Sequence, residues 1–253
     1  MNACPSKAFS GLTLSLLLEL VLVLVFPTTN SIASDIVVPN IYATSPGPSN
    51  AGYPYLFEEM RYQQVFLGSQ FGGVSGFVDK FAYRPDELYG APCSQQPIGL
   101  QIWFSHTTKS PQALDPVFDN NEGPDMTLVF SGTMVVSSAG RQARLFDIVF
   151  DVSNNFFYNG HDNLLLEVKV WGPNSLVTQL DSSGVALGVP GTPWTSTLYG
   201  YGVDATTGLA NSDDGPITKF TLVVPEPGAP VLSALAITAY YAHRRKLRTP
   251  QFC

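Results

Sequence analysis

The run Asp119-Asn120-Asn121-Glu122-Gly123-Pro124-Asp125 offers oxygen ligands at odd spacing, from Asp119, Asn121 and Asp125, with Gly123 to allow a tight bend. Hard cations such as Ca²⁺ take such ligands, and Ca²⁺ is the one cofactor this sequence suggests. The spacing is not that of an EF-hand. The glycine stands fifth instead of sixth, and Phe130 occupies the twelfth position, where a bidentate Glu belongs. The same seven residues also suit an acidic turn between strands. Trp103 and Trp171 are a second group with chemical use. Each falls on the polar side of an alternating segment, where a flat ring could stack on a sugar.

Other chemistries find little to work with. Glycoside hydrolysis needs two carboxyl groups facing across a cleft. The candidates are Glu58, Glu59, Glu122 and Glu167. Glu58 and Glu59 are adjacent and diverge, and Glu167 alternates with Lys169 as on a solvated sheet face. The three histidines, His106, His161 and His243, lack a metal-spaced partner. Cys93 lies in the turn-like Ala91-Pro92-Cys93-Ser94 with no histidine near it in sequence. There is no Gly-x-Ser-x-Gly, phosphate loop or dinucleotide fingerprint. The sequence selects no catalytic residues, and the expectation is a protein that is not an enzyme.

The elements that must hold these groups are strands. Ile98, Leu100, Ile102 and Phe104 alternate with Gly99, Gln101, Trp103 and Ser105. Phe146 to Val152 and Leu164 to Trp171 repeat the pattern, each with one buried and one wetter face. Weaker candidates are Tyr62–Leu67, Phe77–Tyr83, Thr127–Val136, Thr197–Val203 and Thr218–Val224. Turn clusters separate them, drawing on 22 Gly and 20 Pro in 253 residues. About eight strands without an amphipathic helix predict an all-β, two-sheet antiparallel β-sandwich of jelly-roll type. Ser34 to Met60, rich in Pro, Ser and Asn at its start, reads as an extended arm before a domain over 61–224.

The two ends read as addresses. Lys7, the apolar run Leu12 to Phe26, and the small residues Ser31 and Ala33 follow the order of a secretory signal peptide over 1–33. A membrane anchor is the competing reading, and 15 residues are short for it. At the other end, Ala229 to Ala242 is uncharged and mostly apolar, and predicts a short helix. Fourteen residues make about 21 Å of helix, against a hydrocarbon core of about 30 Å. Arg244, Arg245, Lys246 and Arg248 follow, a cluster that holds its end on the cytoplasmic side. Removing both ends changes the charge. The chain carries −7, whereas Ser34 to Pro227 holds 8 cations against 19 anions, a net of −11. That balance excludes nucleic acid as a partner class and favours neutral sugars or cations.

Val224-Pro225-Glu226-Pro227, a short apolar helix and an Arg-rich end resemble the PEP-CTERM sorting signal of Gram-negative bacteria. The body resembles the globular part of such proteins in Arg61-Tyr62-Gln63-Gln64-Val65-Phe66, Val129-Phe130-Ser131-Gly132 and Asn163-Leu164-Leu165-Leu166-Glu167-Val168. The resemblance implies a β-sandwich body and a sorting tail over 225–253. It also implies an exosortase-like processing enzyme and the inner membrane as partners of that tail. The implied product is an exported protein of the envelope or extracellular matrix, transiently membrane-anchored at its C-terminus. Its implied role is structural or adhesive and linked to exopolysaccharide. A carbohydrate-binding module is the alternative, and a hydrolase the third.

Overall fold

A computed structural model describes residues 32–52, 54, 59–94, 97–140, 145–171, 178–184, 194–211 and 215–224. Of the two compact units into which the chain divides, Ala33–Val224 holds every described residue but Ile32. The expected helix over Ala229–Ala242 lies outside the described residues. Among those described, no helix is long and apolar enough to cross a membrane.

The fold is all-β. In chain order the strands are β1 (Ile32–Val38), β2 (Ser49–Ala51), β3 (Met60–Phe66), β4 (Gly76–Tyr83) and β5 (Cys93–Ser94). Next come β6 (Ile98–Thr107), β7 (Thr127–Met134), β8 (Ser137–Ser138), β9 (Ile148–Asp151) and β10 (Phe157–Tyr158). The last are β11 (Asn163–Trp171), β12 (Leu180–Ser182), β13 (Thr195–Tyr201), β14 (Leu209–Asn211) and β15 (Thr218–Val224). One sheet runs β1-β15-β4-β10, with β9 also paired to β4, and the other runs β14-β13-β3-β11-β6-β7. β4 is antiparallel to β9, β10 and β15, and the six-stranded sheet is antiparallel throughout. Neither sheet closes on itself among the described residues.

The alternation that predicts the strands also builds the core. Ile98, Leu100, Ile102 and Phe104 of β6 and Leu164, Leu166, Val168 and Val170 of β11 are all buried in one cluster with Val78, Phe81 and Phe220 of the opposite sheet. Rings meet across the gap: Phe66 lies 4.9 Å from Phe220, edge to face, and Phe81 lies 5.8 Å from Phe104. Each buried phenylalanine contributes about 1.5–3 kcal/mol, so this aromatic layer holds the sheets together, and Cys93, the cysteine among the described residues, is free.

Two expectations need correction. The second face of β11 is not solvated at its centre, since Leu165 and Glu167 are both buried. The chain between β6 and β7 folds back over them. The segment read as an extended arm supplies two strands: β1 beside β15, and β2 paired with β12. Asp181 of β12 holds it in place, accepting from Gly47 N at 2.9 Å and from Arg84 Nε at 2.6 Å. Arg84 Nη2 donates to Ser45 O at 2.7 Å. Burial raises the Asp181 carboxyl above its usual range, against the pull of Arg84.

Candidate functional site

The acidic run sits on the outer face of the six-stranded sheet. Phe118–Asn121 forms one 3-10 turn, and its Phe118 is fully buried beneath it. Asn121 is also fully buried: Nδ2 donates to Asp115 O (2.9 Å) and Gln63 Oε1 (3.0 Å), and Oδ1 accepts from Asp115 N (2.8 Å). Its side chain is thus spent on holding the loop. Asp115 is held below the usual carboxylate range, chiefly by the Val117 backbone N–H.

Arg61 of β3 is the centre of this region. Its Nε and Nη2 donate to the two oxygens of Glu167 on β11, both at 3.0 Å. Nη2 also reaches Asp119 Oδ1 at 2.9 Å and Glu122 Oε1 at 2.7 Å. The guanidinium lies 4.7 Å from the centroid of Phe118. Gln63 completes the set, its Nε2 donating to Glu167 Oε2 (2.6 Å) and Phe118 O (3.1 Å). Burial is the strongest influence on the Arg61 charge and works against it, but the hydrogen bonds and negative charges of Glu167 and Asp119 together outweigh it and hold its pKa above the ordinary value. Burial raises Glu122, and the neighbouring Glu167 adds to that. Three carboxylates on one guanidinium make a network that fastens the loop to the sheet. Glu167 is 2% exposed with both oxygens engaged, so it does not face a polymer. The alternation of Arg61 and Gln63 with Tyr62 and Gln64 places them on this face, but nothing in the sequence marks them as partners of Glu167.

Where the loop ends, an open cleft of about 620 Å³ is lined by His106, Thr108, Glu122, Asp125, His161 and Asp162, among others. Two histidines that the sequence leaves apart meet here. His106 Nδ1 bonds Asp125 Oδ2, its backbone N donates to Asp125 Oδ1 (3.0 Å), and Nε2 accepts from Asn159 N (3.1 Å). An acceptor at Nε2 places the ring proton on Nδ1. The ring stacks on Tyr158 at 5.6 Å, and burial pushes the Tyr158 hydroxyl well above its ordinary value. Gly123 is required beside it, because a Cβ there would stand 1.7 Å from His106 O. His161 Nδ1 pairs with Asp162 Oδ1 at 2.9 Å in an exposed turn. Asp162 is held low, first by the Asn159 amide and then by His161. Both nitrogens of His106 are in use, so its ring orders the two loops that line the cleft.

The three residues proposed for Ca²⁺ therefore point to different partners: Asp119 to Arg61, Asn121 to Gln63 and Asp115, Asp125 to His106. Among the described residues no group of three or more His, Cys, Asp or Glu side chains is placed to hold a metal ion. Trp103 and Trp171 lie on one face of one sheet, both half-buried. Cys93 pairs with Ser138 in the β5–β8 ladder, and burial pushes its thiol up, away from a nucleophile's range. Ala33 lies exposed in β1, and Val224 is the last residue of β15. Ser31, Pro225, Glu226, Pro227, Arg244, Arg245, Lys246 and Arg248 lie outside the described residues. In comparisons with known proteins, no family model, no curated protein and no solved structure matches the chain.

Proposed function

We propose that this is an exported β-sandwich protein which a PEP-CTERM-like tail delivers to the cell envelope or extracellular matrix, in a structural or adhesive role linked to exopolysaccharide. The observation that carries the proposal is an order in the sequence: Val224-Pro225-Glu226-Pro227 is followed by the uncharged stretch Ala229 to Ala242 and then by Arg244, Arg245, Lys246 and Arg248. An exosortase-like enzyme and the inner membrane are the partners of that tail. Replacing Pro225, Glu226 and Pro227 by alanine tests the reading. The variant is expected to stay unprocessed in the membrane fraction, and processing and location identical to the parent would overturn it.

The finer fold proposal is a jelly roll. With β9 and β10 counted as one strand, the principal strands are β1, β3, β4, β6, β7, β9/β10, β11 and β15. Numbered one to eight, they order as 1-8-3-6 in one sheet and 2-7-4-5 in the other. This interleaving supports a jelly-roll reading, with β13 and β14 as additional strands of the second sheet beside β3. A carbohydrate-binding role is the second reading, favoured by the two tryptophans on one face. A hydrolase is not favoured, because Glu167 is committed to Arg61.

A further inference from the structure

We propose that the outer face of β6, from Trp103 to Trp171 on the neighbouring β11, binds a neutral polysaccharide chain. The inference rests on the polysaccharide link proposed above for its ligand class and adds the site. Directly paired residues of antiparallel strands share a face. Trp103 pairs with Glu167, Gln101 with Lys169, and Gly99 with Trp171. Trp171 lies against β6 where Gly99 has no side chain: a Cβ there would be 3.4 Å from Trp171 Cβ and 3.9 Å from Cε3. The two rings thus mark the ends of a strip that runs from Gly99 to Trp103 on β6, four residue steps or about 14 Å at strand rise. Between them stand the Gln101 amide and the Lys169 ammonium, with exposed Ser131 and Thr133 of β7 alongside. Lys169 Nζ lies 5.5 Å from the Trp103 centroid and makes no salt bridge among the described residues.

The composition of the strip selects its occupant. β6 is paired on both sides, by β7 and β11, so an extended peptide finds no free edge on the strand that carries Gln101 and Trp103. A polyanion is opposed by the −11 body and by Glu167, Asp119 and Glu122 gathered beside the strip. A pyranose chain fits what remains. Its C–H faces can lie on the indole rings, and its hydroxyls can meet Gln101, Lys169 and Ser131.

The test is co-sedimentation of the full chain with amorphous cellulose, insoluble β-1,3-glucan and, as the anionic probe, alginate beads. The parent is expected to sediment with at least one neutral polysaccharide, equally in low and molar salt. Trp103→Ala and Trp171→Ala should each weaken that binding about tenfold. Lys169→Gln, which leaves the core untouched, should weaken it less. Lys80→Ala on the other sheet should leave it unchanged. Sedimentation with neither neutral probe, equal binding by the tryptophan and Lys169 variants, or salt-sensitive binding to alginate alone would each reject the strip. These outcomes are independent of tail processing, read as intact mass on the same preparation, so either proposal can fail alone.

Discussion

The six-stranded sheet has two outer regions made from the same strands. At one, Arg61, Gln63 and Glu167 are sealed beneath Phe118 and the acidic loop, with every carboxylate on a shared guanidinium. At the other, Gln101, Trp103, Lys169 and Trp171 remain half-exposed. Lys169 pairs across strands with both Gln101 and Arg61, so the two regions meet within a single rung. Strand alternation assigns a residue to a face, but the complement carried by the covering loop decides whether that face is wet. The sealed region depends on buried charges that need one another. The open region depends on none.

Removing the centre of the sealed region should have the largest effect. Arg61→Ala leaves Glu167 buried without its partner and is expected to cost about 3–5 kcal/mol in urea unfolding. Lys169→Ala, in the same rung, should cost under about 0.5 kcal/mol. Equal costs would erase the distinction between the regions. A smaller loss is expected from Asn121→Ala, which strips partners from Asp115 N and Gln63 Oε1. About 1–3 kcal/mol is expected, and a value near zero would mean that the loop is not fastened through Asn121.

The smallest effect is one of sign. Burial raises the Glu122 carboxyl, so the folded chain holds that proton to higher pH than the unfolded chain. The associated stability is full below the ordinary glutamate value and is lost as pH rises through the folded one. Glu122→Gln removes this loss. The stability of the variant relative to the parent should therefore increase as pH rises through that window. A relative decrease would show that the Arg61 contact outweighs burial at Glu122.

The core was readable because its signal is local. Ile98 to Phe104 and Leu164 to Val170 alternate within their own segments, and both strands form where that pattern lies. The same locality misplaces Glu167. Its alternation with Lys169 gives the face correctly, but the cover comes from Phe118, 49 positions away, in a loop without periodicity. β1 was hidden because Ile36, Val37 and Val38 do not alternate, and its place is set by pairing with β15. The cleft joins His106, at the end of one strand, to His161, in a turn before another, and no spacing rule connects them.

The export account is tested most directly by the intact mass of the native protein recovered from the producing cells. The account predicts a chain that begins at Ser34 and has been processed within its tail at the Pro225-Glu226-Pro227 motif. A mass equal to all 253 residues, Met1 to Cys253, would contradict it.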